Sequence, residues 1–392
     1  MVDLRGMEPS GVNGGLQTYI EWQLPWLAAH HRAQFSFLAL AGLHNVALVS
    51  SLLGTGDVVC VAAPQDAIWQ SGGQDPTIVA SSMTPKALLQ KIHVDALYAP
   101  LGPLPFEKPS IPSVALVADM LHRELPETLK PEVVAHRERY LTPTIRDATL
   151  IQCISRSAQE RLEHHYPEIS GRTFVTYLPV QSRLQQGPTE NHNPLIPSRP
   201  YFFYPANFWP HKNHRLLVNA YHAYVCEAGD TAWDLVLSGS DYDGNLRQMR
   251  DLAASVGLSG KILFPGYVNE ITLAALWKHA SALVFPSLHE GFGIPLLEAM
   301  AAGLPILSAN GYSLPEVAGD AALYFDPRDA SQMTARMLDI TSRPELRATL
   351  TQKGRVRLRS FDAEAESVKL VAAFCRILAP HTKSNFASES AA

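Results

Sequence analysis

The sequence predicts an α/β protein of two doubly wound domains facing each other across a cleft, and three observations carry that expectation. Short apolar runs rich in β-branched residues alternate with longer amphipathic stretches over nearly the whole chain, the pattern of strand–helix units around parallel sheets. The 392 residues exceed what one core usually serves, at roughly 100 to 200 residues per domain. The alternation is broken at QSRLQQGPTENHNPLIPSRP (181–200), which is poor in apolar residues and rich in Pro, Asn, Ser and Gln, as an interdomain linker is.

Strands are expected in the first half at 35–40, 57–63, 95–100, 113–119, 148–155 and 173–179, with helices at 16–29, 131–146 and 157–166. After the linker the alternation restarts. Strands are expected at 201–206, 233–239, 261–267, 281–287 and 304–309, separated by helices at 214–227, 244–256, 271–280 and 293–302. This divides the chain into a first domain (1–185), a second (186–375) and a tail (376–392). In such sheets ligands bind outside the carboxyl ends of the strands.

Composition narrows the function. With 46% hydrophobic and 18% charged residues the chain is ordinary globular, which excludes disorder, collagen-like repeats and coiled coil. A net charge of −5 argues against gripping nucleic acid phosphates. The cysteines Cys60, Cys153, Cys226 and Cys375 lie far apart, with no zinc-site or redox spacing, so reduced, buried thiols and a cytoplasmic location are expected. No window reaches the roughly 18 apolar residues of a membrane span, and the first residues lack the pattern of a secretory signal.

The most informative segment is FPSLHEGFGIPLLEAMAAGLPILSANGYSLPEVAG (285–319), where a buried strand meets a glycine-bracketed turn and a helix. Glu290 and Glu298 are eight residues apart, a little over two helical turns, so both carboxylates fit one side of a cleft. Gly291 and Gly293 allow a ligand close to the backbone, and a helix start offers N–H groups to a phosphate. The spacing alone fits equally well a capped amphipathic helix with two solvated glutamates.

The run from Glu290 to Pro305, E-G-F-G-I-P-L-L-E-A-M-A-A-G-L-P, with the P-E-V-A-G of Pro315 to Gly319, resembles the donor-binding signature of the retaining glycosyltransferase family 4. That family has the GT-B fold of two Rossmann-like domains. The resemblance implies that Glu290 meets hydroxyls of a donor sugar, that the backbone of Gly291, Phe292 and Gly293 meets sugar and diphosphate, and that Glu298, beside Leu297, binds the ribose.

In YPANFWPHKNHRLL (204–217), Lys212 at a strand-to-helix turn is placed to neutralise a diphosphate, and Asn213 to cap the next helix. Lys212 matches the family's phosphate-contacting lysine, while Asn207 stands where an arginine usually assists it. His211 and His214 have no acidic partner nearby in sequence, so surface or hydrogen-bonding roles are expected and not a metal site. Weaker resemblances place Gly239, Ser240, Tyr267 and Val268 around the nucleotide.

In the first half, GVNGGLQTY (11–19) is a glycine-rich turn that brings N–H groups near an anion or simply starts a helix. The family's equivalent loop makes Gly14 and Gly15 candidate donor contacts. VALVADMLHRELPE (114–127) resembles the family stretch in which a strand ends in His-Asp. Here Ala118 takes the histidine's place, and Asp119 or His122 is expected on the acceptor side. Helix capping by Asp119 with a surface His122 fits the same residues. Ser155 and Ser157 are expected to cap the helix that follows them. The helix at 16–28 is read as core. Residues 1–100 hold only four Lys or Arg, which gives an anionic lipid surface little to attract.

No nucleophile-plus-base constellation is visible, so the chemistry is expected to rest on positioning and on stabilising a departing nucleoside diphosphate. The resemblance implies retention of configuration and no metal. Asp241 and Asp243 form an Asp-x-Asp that is read as a turn, although that pattern elsewhere holds a divalent cation. The expected partners are a GDP- or UDP-sugar and a saccharide, polysaccharide or lipid-linked acceptor, with peripheral membrane association left open and no nucleic acid. The alternatives are a catalytically weak subunit that binds nucleotide sugar, supported by Ala118 and Asn207, and another GT-B enzyme such as an epimerase.

Overall fold

A computed structural model describes residues 1–8, 14–62, 67–69, 76–180 and 195–379. Most of the expected linker (181–194), the start of the first glycine-rich turn (9–13) and the end of the tail (380–392) lie outside the described residues.

The first sheet is built from β1 (Val2–Asp3), β2 (Leu38–Ala41), β3 (Val58–Ala62), β4 (Ala67–Trp69), β5 (Thr77–Ser81), β6 (Leu97–Ala99), β7 (Ser113–Val117), β8 (Leu150–Cys153) and β9 (Thr173–Val175). Its order is β4-β5-β3-β2-β1-β6-β7-β8-β9, parallel except for the β4–β5 pair at one edge. The second sheet comprises β10 (Tyr201–Pro205), β11 (Asp234–Ser238), β12 (Ile262–Gly266), β13 (Ala282–Phe285), β14 (Ile306–Ala309) and β15 (Ala322–Phe325). Its order is β12-β11-β10-β13-β14-β15, all parallel. This is the doubly wound arrangement in which the connections after the two central strands, β10 and β13, diverge to opposite faces and open a crevice between them.

Every expected strand is present with trimmed ends. The one expected at 35–40 begins at Leu38, because the N–H groups of Gln34 and Phe35 both turn back to the His31 carbonyl and extend the preceding helix instead. The edge strand β4, its neighbour β5 and the edge strand β15 of the second sheet are not among the expected strands.

Burial explains the order of the layers. Tyr201, Phe202, Phe203 and Tyr204 of β10 are all fully buried, as befits a central strand covered on both faces. In the first domain Gln152 of β8 sits in a satisfied polar network: it accepts from Tyr98 Oη at 2.9 Å and donates to Tyr19 Oη at 2.9 Å and Thr176 Oγ1 at 2.6 Å. A fully paired buried amide permits one arrangement and few others, so it fixes the helix Gly14–His30 over the sheet. The last helix, Ala363–Leu378, crosses back to the first domain. Its Phe374 meets Tyr98 edge-on at 5.5 Å, and Glu366 accepts the Tyr177 N–H at 2.9 Å. Of the cysteines, Cys60 and Cys153 are buried as expected, whereas Cys226 and Cys375 sit exposed on helices. No helix among the described residues is long and apolar enough to cross a membrane.

Candidate active site

A cavity of about 800 Å³ separates the domains, and its second-domain wall comes from the carboxyl ends of the central strands. Lys212, after β10, and Glu290, after β13, meet there with Nζ and Oε1 2.6 Å apart. These residues lie 78 positions apart in the chain, and the order of the sheet alone brings them together.

Each is held from behind. The Lys212 carbonyl accepts from Tyr204 Oη at 3.0 Å, and the same hydroxyl is 2.8 Å from Ser287 Oγ. Ser313 Oγ is 2.9 Å from the Glu290 carbonyl and 3.0 Å from that of Phe292, so the backbone of the turn is pinned before the helix Ile294–Ala301 begins. Glu298, on that helix, is fully buried and lines the cavity. Gly293 has φ +97°, and a Cβ there would stand 2.8 Å from Leu314, so glycine is required both by conformation and by space.

Asn207, Gly239, Ser240, Tyr267 and Val268, expected around a nucleotide, all line the cavity. Asn207 Oδ1 accepts the Ser240 N–H at 2.8 Å, so its amide braces the loop. Gly239 needs its hydrogen, since a Cβ would fall 2.3 Å from the Ala206 carbonyl oxygen. Tyr267 is 68% exposed at the edge of the cavity. Asn213 does not cap the helix after it: it adopts a left-handed conformation, and its amide donates to the Pro286 and Pro327 carbonyls at 3.0 and 2.7 Å.

The first domain supplies the opposite wall through Gly15, Gln17, Thr18, Glu21, Asp119 and Arg137. Asp119 accepts from Arg137 Nη1 at 2.8 Å and from the Leu121 N–H at 2.9 Å. Burial alone would raise its pKa, but Arg137, His289, that N–H and His211 outweigh it and hold the carboxyl well below the usual range.

Gly14 is the first residue of its helix, and Gly293, Leu297, Phe292 and His122 lie outside the lining. Leu297 is core. Phe292 turns its ring into an aromatic cluster between the domains, 5.9 Å from both Tyr177 and Phe361, which leaves only its backbone for the turn. His122 is not on the surface. It is buried beside Glu138, with Nε2 and Oε1 3.4 Å apart, and burial lowers its pKa.

Sequence reasoning passed over Arg137, Trp209, Tyr242 and His289. His289 directly precedes Glu290 in the recognised motif, which was the one available signal. It is 5% exposed, its ring lies 4.2 Å from that of Tyr312, and burial lowers its pKa against the pull of Asp119 and Glu290. Trp209 and Tyr242 stack at 3.7 Å on the cavity wall.

His211 and His214, for which surface or hydrogen-bonding roles are expected, are buried. Burial, reinforced by Lys212, pushes them down to about 2 and about 3. The unfolded chain, with pKa near ~6.5, therefore takes up protons that the fold refuses, and stability must fall as pH drops below ~6.5, by up to ~1.4 kcal/mol per pH unit and histidine. Urea midpoints between pH 7 and 5 should show that slope and a shallower one in His214→Phe, whose ring can keep the 4.2 Å stack on Phe208. Equal slopes would remove His214 as a source.

The domains are joined around the cleft. Ser155 Oγ caps its own helix by accepting the Ala158 N–H at 2.9 Å and donates to the Gly291 carbonyl at 2.7 Å. Glu316, in the Pro315 to Gly319 motif, accepts the N–H groups of Arg156 at 2.7 Å and Ser157 at 2.9 Å. The second domain thus caps a helix of the first, where the macrodipole favours a carboxylate. At the other margin Lys130 meets Asp243 at 2.7 Å, while Asp241 accepts the Leu246 N–H at 2.8 Å. The Asp-x-Asp therefore spends its carboxylates on a domain contact and a helix start. Among the described residues no group of three or more His, Cys, Asp or Glu is placed to hold a metal.

Two Rossmann-like domains with a donor-type turn facing a cleft define the class: a GT-B protein. Residues 189–357 match the family model for glycosyl transferases group 1, in agreement with the motif at Glu290 to Pro305. O-antigen chain mannosyltransferase B of Escherichia coli is 30% identical over 256 residues, covering 64% of this chain and 66% of that protein. Serotype-specific mannosyltransferase WbdA of Escherichia coli is 38% identical over 125 residues, 32% of this chain and 15% of the relative. The matched region thus spans just under two thirds of the first relative and a small part of the second. Among solved structures, HepE of Anabaena in complex with UDP and glucose superposes with a TM-score of 0.66 at 14% identity, covering 96% of this chain and 99% of that one.

Proposed function

We propose that the protein is a retaining glycosyltransferase that moves a hexose from a GDP- or UDP-sugar to a hydroxyl of a saccharide or lipid-linked saccharide acceptor. Mannose is the hexose we favour, because the relatives above are named mannosyltransferases. The observation that carries the reading is the Lys212–Glu290 pair at 2.6 Å on the floor of an interdomain cleft, with the buried Glu298 on the helix that follows the Glu290 turn.

The pair suits a donor that carries both a diphosphate and a sugar. When a diphosphate enters, Lys212 exchanges part of its contact with Glu290 for the phosphate oxygens, and the freed carboxylate oxygen accepts a sugar hydroxyl. The bond from the anomeric carbon to the phosphate oxygen breaks, the acceptor oxygen bonds to the same face of that carbon, and its proton passes to the departing phosphate. Preorganised charge at the leaving group is the main source of acceleration in such a scheme. Incubation with GDP-mannose and a panel of UDP- and dTDP-sugars tests this, read by thermal shift and by release of the nucleoside diphosphate. A donor that binds the folded state must raise its melting temperature. Absence of any shift or turnover across the panel would defeat the reading.

Glu298→Ala should weaken nucleotide binding roughly tenfold to a hundredfold, because a carboxylate accepting ribose hydroxyls contributes ~1.5 to 3 kcal/mol. Calorimetry with GDP and UDP measures it, and an unchanged affinity would remove the ribose from Glu298. Turnover should also survive excess EDTA, since Lys212 supplies the charge that a cation would. Loss of activity with chelator and its return with Mg²⁺ or Mn²⁺ would reverse that expectation.

A further inference from the structure

Beside the main cleft lies a second cavity of about 220 Å³, between the helix Gly14–His30 and the segment from Leu178 to Val180. The two share a wall, since Gly15, Thr18 and Glu21 line both. The second cavity therefore adjoins the main cleft on its first-domain side. We propose that this second cavity is a subsite for one ring of a neutral saccharide acceptor, seated against Trp22. The proposal rests on the glycosyltransferase reading and names the acceptor's chemistry and minimum length: uncharged at this position and at least two rings long.

The chemistry of the walls selects the occupant. A sugar ring has an apolar C–H face and a rim of hydroxyls, so it needs a flat aromatic platform and fixed acceptors at its edge. Trp22 is a half-buried ring backed by Trp26, with centroids 6.0 Å apart, and Trp26 in turn stacks on His30 at 4.7 Å. A ring supported in this way loses little conformational freedom on contact. Glu21 supplies the acceptor, with Oε1 held by Gln17 Nε2 at 2.8 Å, so the carboxylate is oriented before anything binds. Leu178, Pro179 and Val180 form an apolar wall.

Charge excludes the alternatives. None of the described residues lining this cavity is Lys or Arg, and Glu21 places a carboxylate in it. A phosphate, a uronic acid or the diphosphate of a carrier lipid would enter against that carboxylate with no cation among the described lining residues to pair it.

Trp22 also provides the readout. The full-length protein is titrated, by intrinsic fluorescence and calorimetry, with disaccharides of mannose, glucose and galactose and with the methyl glycosides of the same sugars. At least one disaccharide should bind tenfold or more tightly than its single-ring counterpart, and Trp22→Ala should bring that ratio close to one. Trp26→Ala, which alters the stack behind the subsite and not its lining, should keep a ratio above threefold. If circular dichroism shows Trp22→Ala unfolded, Glu21→Gln serves in its place and should lower the ratio at least threefold. Equal affinity for one and two rings, no binding by any disaccharide, or a ratio that survives in the folded variant overturns the subsite. Tighter binding of an octyl glycoside than of a disaccharide assigns the cavity to a lipid tail and overturns it as well. Saccharide titration needs no nucleotide sugar, so its failure and the failure of the donor panel are separate results.

Discussion

Lys212→Ala should lower kcat by roughly 10²-fold or more, which corresponds to about 2.7 kcal/mol of transition-state stabilisation at ~1.36 kcal/mol per decade. Charge accumulates on the diphosphate as the bond to the sugar breaks, so an ammonium beside it is worth more in the transition state than in the ground state. Asn207 does not share the load as a cation would, because its amide is neutral and its oxygen accepts the Ser240 N–H at 2.8 Å. The 2.6 Å contact with Glu290 adds a second consequence. Removing Lys212 alone leaves a carboxylate facing the incoming diphosphate, so part of the loss is repulsion. The double variant Lys212→Ala, Glu290→Gln should therefore lose less than the two single losses combined, the non-additivity expected of groups in contact. Steady-state transfer and a circular dichroism check on each variant measure this. A folded Lys212→Ala enzyme that keeps most of its kcat would place the cationic centre elsewhere, and Arg137 would be the next residue to test.

Gly291→Ala should cost kcat/KM a similar factor, about 10²-fold, for a purely geometric reason. A Cβ on Gly291 would stand 2.2 Å from the carbonyl oxygen of Ala118 and 3.1 Å from its carbon, which is backbone of the opposite domain and has no side chain to swing aside. The domains must part by about an ångström at this point, and a displacement of that size at a reacting centre costs on the order of 10²-fold. The bond from Ser155 Oγ to the Gly291 carbonyl, 2.7 Å, would be disturbed with it. Neither domain's core is touched, so nucleotide affinity measured by calorimetry should stay within about threefold. Gly311→Ala is the control, because nothing lies within 4 Å of a Cβ there. A Gly291→Ala enzyme within tenfold of the parent would mean that transfer does not use this closed arrangement.

The contact also gives a physical account of Ala118. Its carbonyl lies against Gly291, and the adjoining Asp119 is held by Arg137 and influenced by His289 from the second domain. Where a first-domain histidine is usual, this chain has an alanine, and an imidazole reaches the same cleft from the residue before Glu290.

Much of the fold was legible in the sequence because its signals are local. The period of a buried strand or an amphipathic helix is written within a dozen residues, and β10 through β14 with their helices fall where that period places them. The Glu290 to Glu298 spacing and the glycines around Phe292 are equally local, so the donor-side turn could be recognised whole. The edge strands β4 and β15 were not legible, because short edge elements carry little periodic signal, and β5 beside β4 was missed with them. Asn213 was misread as a cap for a related reason: its left-handed backbone turns the amide away from its own helix and toward Pro286 and Pro327.

By itself, then, the sequence determined the α/β class, the order of the units and the glycine-bracketed turn from Glu290 to Gly293, since each depends on residues that are neighbours in the chain. Only the tertiary structure decided that Lys212 pairs with Glu290, that Gly291 touches Ala118, and that Glu316 caps a helix beginning 160 residues earlier. Those meetings follow from the strand order of two sheets and from the closure of one domain on the other. No periodicity encodes a contact between segments that only the packing of both cores brings within hydrogen-bonding distance.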